Sequence, residues 1–163
     1  MDIRKAFLEA YDRHADAIYR HCYFRVFSKA RAEELVQETF MKTWDYLGKG
    51  GRVENMKAFL YRVATNLIVD ESRKRKEASL DAMRESGDFN EPAGDGALDA
   101  EKLILMREVC SKIAELEPED KAVIVMRYVD DLDPQEIAEV LEITPNNVSV
   151  RLNRAMKKLK EQI

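Results

Sequence analysis

The chain has 163 residues, of which 36% are charged and 45% hydrophobic, with only six glycines and four prolines. That balance favours helices over a strand-rich fold, and with no apolar run of ~18 residues nothing in it is expected to span a bilayer. The formal charge of −4 argues against a uniformly basic nucleic-acid binder, although its distribution matters more than its sum.

The N-terminal segment is amphipathic and partly acidic, unlike a secretory leader, so the chain is expected to stay in the cytoplasm. Phe7, Leu8, Tyr11, Ala15, Ile18, Tyr19, Cys22 and Val26 recur at helical spacing and predict a first helix from about Ile3 to Phe27. A second starts near Ser28 or Ala30, runs through Leu35, Val36, Thr39, Phe40, Thr43, Trp44 and Leu47, and ends at Gly48. The loop from Gly48 to Gly51 breaks the chain. A third helix covers Asn55 to about Glu77, with Phe59, Leu60, Val63, Ala64, Leu67 and Ile68 on its apolar side and an abrupt basic end, Arg73-Lys74-Arg75-Lys76. Three helices of this kind can pack into a compact lobe.

The charge then shifts. From Ala78 to Glu101 there are seven acids against one base, a balance of −6 that leaves +2 for the rest of the chain. Within it, residues 86–97 hold three glycines and a proline without apolar periodicity. This reads as a flexible, charge-extended linker, with an ordinary disordered loop as the alternative.

Beyond it, helices are expected from roughly Leu98 to Leu116 and from Pro118 to Val129, with Leu103, Met106, Val109, Ile113, Val123, Met126 and Tyr128 able to build a small core. Two short helix starts follow. Asp133 and Thr144 are N-caps, each followed by a proline at the first helical position, and Glu136 completes a capping box with Asp133. Ile137, Ala138, Leu141 and Ile143 give the first of these helices its apolar residues, and the turn after it has no glycine. In the second, Val148, Leu152, Ala155 and Leu159 form one apolar stripe, while Asn147, Arg151, Arg154 and Lys158 repeat the same spacing on another face. A short helix, a tight turn and a helix presenting Asn and Arg is the helix-turn-helix arrangement, whose second helix enters the major groove. Arg pairs bidentately with guanine and Asn with adenine. On spacing alone, a helical hairpin with a solvated basic face stays open.

Cys22 and Cys110 are far apart, and only His14 and His21 add soft ligands, so packed side chains explain them better than a zinc site. No nucleophile and base with an orienting third group can be identified, and the glycines form no phosphate loop. No cofactor and no enzymatic activity are expected.

The segments Ala32-Glu33-Glu34-Leu35-Val36-Gln37-Glu38-Thr39-Phe40 and Phe59-Leu60-Tyr61-Arg62-Val63-Ala64-Thr65-Asn66-Leu67, followed by the C-terminal helix pair, resemble a bacterial sigma factor of the extracytoplasmic-function (ECF) type. The likeness covers nearly the whole chain apart from the linker. It implies an all-α fold of two small lobes: a sigma-2-like domain at 1–77, an acidic linker at 78–100, and a sigma-4-like domain at 101–163.

The resemblance also implies partners and sites. Core RNA polymerase, through the β′ clamp helices and the β subunit, would be met by Glu34, Gln37 and Glu38, which share one helix face, with Trp44 at the edge of the contact. Asn66 falls where the family's base-contacting Asn reads the promoter −10 element, and Arg62, Arg73, Lys74, Arg75 and Lys76 would hold that strand's phosphates. Relatives often carry an aromatic residue in the loop that here reads Gly-Lys-Gly-Gly-Arg-Val, so the resemblance does not carry over how the base is gripped, or which base. The −35 element would be read by Asn147, Arg151 and Arg154, with Lys157 and Lys158 toward the backbone. The linker would cross the polymerase interior, and an anti-sigma factor is a further expected partner. The competing reading is a helix-turn-helix regulator that binds DNA without polymerase; a helical adaptor that binds only protein is the third.

Overall fold

The computed structural model describes residues 2–78 and 100–162. All regular elements among them are helical, and the chain divides into two compact units between Asn90 and Glu91. The expected linker lies, apart from its two end residues, outside the described residues.

The first unit holds α1 (Ile3–Val26), α2 (Lys29–Gly48) and α3 (Met56–Ala78). Each begins on a residue whose side chain accepts from a free backbone N–H. Asp2 accepts from Arg4 at 3.0 Å, Ser28 from Arg31 at 3.3 Å and Asn55 from Ala58 at 3.2 Å. Only Phe27 and Ser28 separate α1 from α2, and Phe27 turns the chain by taking a left-handed conformation at φ 52°. The core is Ile18, Cys22, Tyr23, Leu35, Phe40, Leu60, Ala64 and Leu67. Each large side chain fully withdrawn from water adds about 1.5–3 kcal/mol to stability. Thr39 and Thr43 are also buried, and their hydroxyls donate to the carbonyls of Leu35 (2.7 Å) and Thr39 (2.8 Å), so neither hydroxyl is stranded. The apolar stripe of α1 is wider than the core needs. Leu8 is 53% exposed and Tyr11 46%, so both lie on the surface and not under it.

The second unit holds α4 (Ala100–Ala114), α5 (Pro118–Ile124), α6 (Pro134–Leu141) and α7 (Pro145–Gln162). Two boundaries differ from expectation. The end of α4 tightens into i→i+3 bonds, Glu115 N to Lys112 O (3.2 Å) and Leu116 N to Ile113 O (3.1 Å), because Glu117 precedes a proline and is pushed out of the helical region. The helix expected to run to Val129 instead stops at Ile124 and widens into a π-helical turn, Val125–Val129, closed by Asp130 N donating to Val125 O at 3.0 Å. That turn keeps both Val125 and Met126 buried, and Leu132 closes over them with its N–H on the carbonyl of Met126 (2.9 Å).

Candidate nucleic-acid interface

The helix pair α6 and α7 is built as its caps require. Asp133 Oδ1 accepts from Glu136 N (2.8 Å) while Glu136 Oε1 accepts from Asp133 N (3.1 Å), a complete capping box. Thr144 Oγ1 accepts from Asn147 N (3.1 Å) at the head of α7. In place of glycine, Glu142 ends α6 in the left-handed region at φ 58°. Val148, Ala155 and Leu159 are buried and anchor α7, with Leu152 half-buried beside them. Asn147, Val150, Asn153 and Lys157 are exposed.

The face that the spacing put outward is divided. Asn147 is exposed and Arg151 half-buried, but Arg154 and Lys158 are tied to α5. Arg154 donates from Nε (3.0 Å) and Nη2 (2.7 Å) to Asp120 Oδ1, and Lys158 Nζ donates to Oδ2 at 3.0 Å. Glu119 adds a looser contact, 3.9 Å from Arg154 Nη2. Asp120 is fully buried, whereas the side chains of Arg154 and Lys158 are 47% and 42% exposed. Burial acts to raise the Asp120 carboxyl, but the hydrogen bonds and charges of Arg154 and Lys158 outweigh it and hold the group below the usual carboxylate range. The sequence reading missed Asp120. Its signal was an acid at i+4 from Leu116 and i−4 from Ile124, in line with apolar positions.

In the first unit, Glu34, Gln37 and Glu38 are exposed on α2. Next to them an apolar groove of about 580 Å³ runs between α1 and α2, lined by Phe7, Leu8, Tyr11, Gln37, Met41 and Trp44 among others. Trp44 is 43% exposed and packs edge-on against Phe7, with ring centroids 5.1 Å apart. Leu35 and Phe40 lie in the core. On α3, Asn66 and half-buried Arg62 share a face with Val69, Asp70 and Arg73, and Arg73 Nη2 meets Asp70 Oδ1 at 3.5 Å. Lys74 is exposed; the side chains of Arg75 and Lys76 lie outside the described residues. The preceding loop is set by Tyr46, whose ring lies 5.0 Å from that of Phe59 and whose hydroxyl donates to Arg52 O at 3.3 Å. Cys22 and Cys110 are both buried.

Sequence and fold comparisons agree on the family. Sigma-70 region 2 matches residues 10–78 and Sigma-70, region 4 matches residues 104–159. The ECF RNA polymerase sigma factor SigW of Bacillus subtilis is 30% identical over 97% of this chain and 89% of its own length. SigL of Mycobacterium tuberculosis, another ECF sigma factor, is 28% identical over 92% of this chain and 84% of its own. The sigma factor RpoE from Bartonella quintana, solved with the anti-sigma factor NepR, shares the fold with a TM-score of 0.74 at 22% identity, over 96% of each chain. Two helical lobes matched in this order, the second ending in a helix-turn-helix, define a transcription initiation factor. The chain belongs to the sigma-70 family, in its ECF group, whose members bind RNA polymerase and direct promoter-specific initiation.

Proposed function

We propose that this sigma factor acts in the cytoplasm, recruits core RNA polymerase to a two-element promoter and helps melt the −10 element, leaving all bond-making chemistry to the polymerase. Residues 1–77 would form the polymerase and −10 module, 78–100 the linker and 101–163 the −35 module. The observation that carries the reading is the α6–α7 pair: a fully capped helix-turn-helix whose second helix is anchored by Val148 and Ala155 and carries Asn147, Arg151 and Arg154. These three would address −35 bases, with Lys157 and Lys158 toward phosphate.

Glu34, Gln37, Glu38 and Trp44 would dock on the β′ clamp helices of the polymerase. The groove supports this, because Leu8, Tyr11 and Met41 add exposed apolar surface beside those polar residues, the make-up of an interface core with a polar rim. Asn66 would read an unstacked −10 base, an amide offering both donor and acceptor, while Arg62 and the basic end of α3, Arg73, Lys74, Arg75 and Lys76, would hold that strand. The sigma factor RpoE was solved with the anti-sigma factor NepR, and an anti-sigma factor is proposed here as well.

Purified core polymerase plus this chain should give promoter-specific transcripts on DNA selected with the reconstituted holoenzyme. Arg151→Ala should abolish the preference for the −35 sequence; an unaltered preference would remove α7 from the recognition assignment. Replacing Glu34, Gln37 and Glu38 together by Ala should weaken capture of core polymerase, and undiminished capture would place the docking face elsewhere.

A further inference from the structure

We propose that Asp120 is a positioning residue for promoter recognition: it grips one edge of the Arg154 guanidinium so that the other edge is presented to a −35 guanine. The inference rests on the reading that α7 faces DNA. A guanidinium has five N–H donors in a planar fork. Asp120 Oδ1 takes the side of that fork, Nε at 3.0 Å and Nη2 at 2.7 Å. Three donors are left over by that contact, including the Nη1 and Nη2 hydrogens that point along the end of the side chain. Those are the pair that bidentate recognition of guanine O6 and N7 uses.

The grip is rigid for a physical reason. Asp120 is fully buried and belongs to the first turn of α5, so it cannot follow a mobile partner, and a buried carboxylate is costly unless its oxygens are occupied. Lys158 occupies the second oxygen at 3.0 Å, which leaves Arg154 one way to satisfy the first. The Arg154 side chain is nonetheless 47% exposed, which leaves it room for contacts beyond Asp120. A long, rotamer-rich side chain is thereby ordered before DNA arrives, and the entropy of ordering it is not charged to binding.

The test is holoenzyme binding to the selected promoter and to the same promoter with a scrambled −35 element, across a KCl series. Asp120→Asn keeps the shape and an acceptor but removes the charge that holds Arg154 and Lys158. The ratio of the two affinities should fall about tenfold, the loss expected for one bidentate base contact. Affinity for the scrambled DNA should hold or rise, because two cations are released to phosphate, with a steeper salt dependence. A purely structural role would lower both affinities together. Asp120→Asn added to Arg154→Gln should change the ratio no further, since the two act through one contact. Asp120→Glu retains the charge pairs but shifts the acceptor by one methylene, and should also lower the ratio.

A parent-like ratio in folded Asp120→Asn or Asp120→Glu protein overturns the proposal, as does a parallel loss on both DNAs. If Arg154→Gln alone leaves the ratio intact, the assignment of Arg154 to the −35 contact fails as well; if it collapses the ratio while Asp120→Asn does not, only the positioning role fails.

Discussion

Gly51 sits under the ring of Tyr46, and Gly51→Ala tests whether that packing sets the loop before α3. A methyl there would come no farther than 2.6 Å from three ring carbons, where ordinary carbon contacts are about 3.5–4.0 Å. The ring must therefore move by about 1 Å. Moving it weakens the tilted contact with Phe59, centroids 5.0 Å apart, and the exposed hydrogen bond to Arg52 O at 3.3 Å. An aromatic pair contributes about 0.5–1.5 kcal/mol and an exposed neutral hydrogen bond no more than about 0.5 kcal/mol, so the cost is about 0.5–2 kcal/mol. Tyr46 is half-exposed and can swing aside, which keeps the figure in the lower range of overpacking effects. Trp44, the chain's single tryptophan, lies in the same unit and gives a fluorescence signal for that unit alone. With a urea slope of about 1 kcal/mol/M, the midpoint should fall by about 0.5–2 M. In a Tyr46→Ala background the same substitution should cost only a few tenths of a kcal/mol, about the noise of additivity. A parent-like midpoint, or an equal loss with and without the ring, refutes the argument. The same variant should slow promoter opening if the loop helps hold the −10 strand.

Acid should act on the second unit through Asp120. Its folded value lies below the usual carboxylate range, so its stabilisation is complete above the unfolded value and is lost as pH falls through the folded one, a window below about pH 4. Circular dichroism should show part of that acid loss missing in Asp120→Asn, and an unchanged acid limb would contradict it. Glu142→Gly should raise stability by about 0.5–1 kcal/mol, because a left-handed residue with a side chain carries strain that glycine lacks, offset by glycine's freer unfolded state. Thermal melts decide, and a lower midpoint counts against it. Neutralising Asp88, Glu91 and Asp95 should change abortive transcript yield or open-complex formation, with no change in either removing the proposed linker role.

Local chemistry explains most of what could be read in advance. Ser28, Asp133 and Thr144 cap helices because side-chain oxygens beside free N–H groups leave a mark within three residues of sequence, and Val148, Ala155 and Leu159 form the anchoring stripe for the same short-range reason. What escaped is long-range or a matter of degree. The partner of Arg154 lies 34 residues away, and helical spacing carries no information across that distance. Leu8 and Tyr11 fit the period of α1, but period cannot say how wide a stripe the neighbouring helices cover. The π-helical turn at Val125–Val129 adds a residue to one turn of a run that otherwise looks regular, and only the closure of Leu132 over it shows why.

The buried Asp120 also bears on how the second unit assembles. Until α7 docks against α5, that carboxylate has neither of its cations, and leaving it dehydrated and alone is strongly unfavourable. Water must therefore remain around it until α7 docks. The apolar core and the ion pairs then close in a single step, so partly docked forms gain little, and the unit is expected to fold and unfold as one cooperative block and not helix by helix.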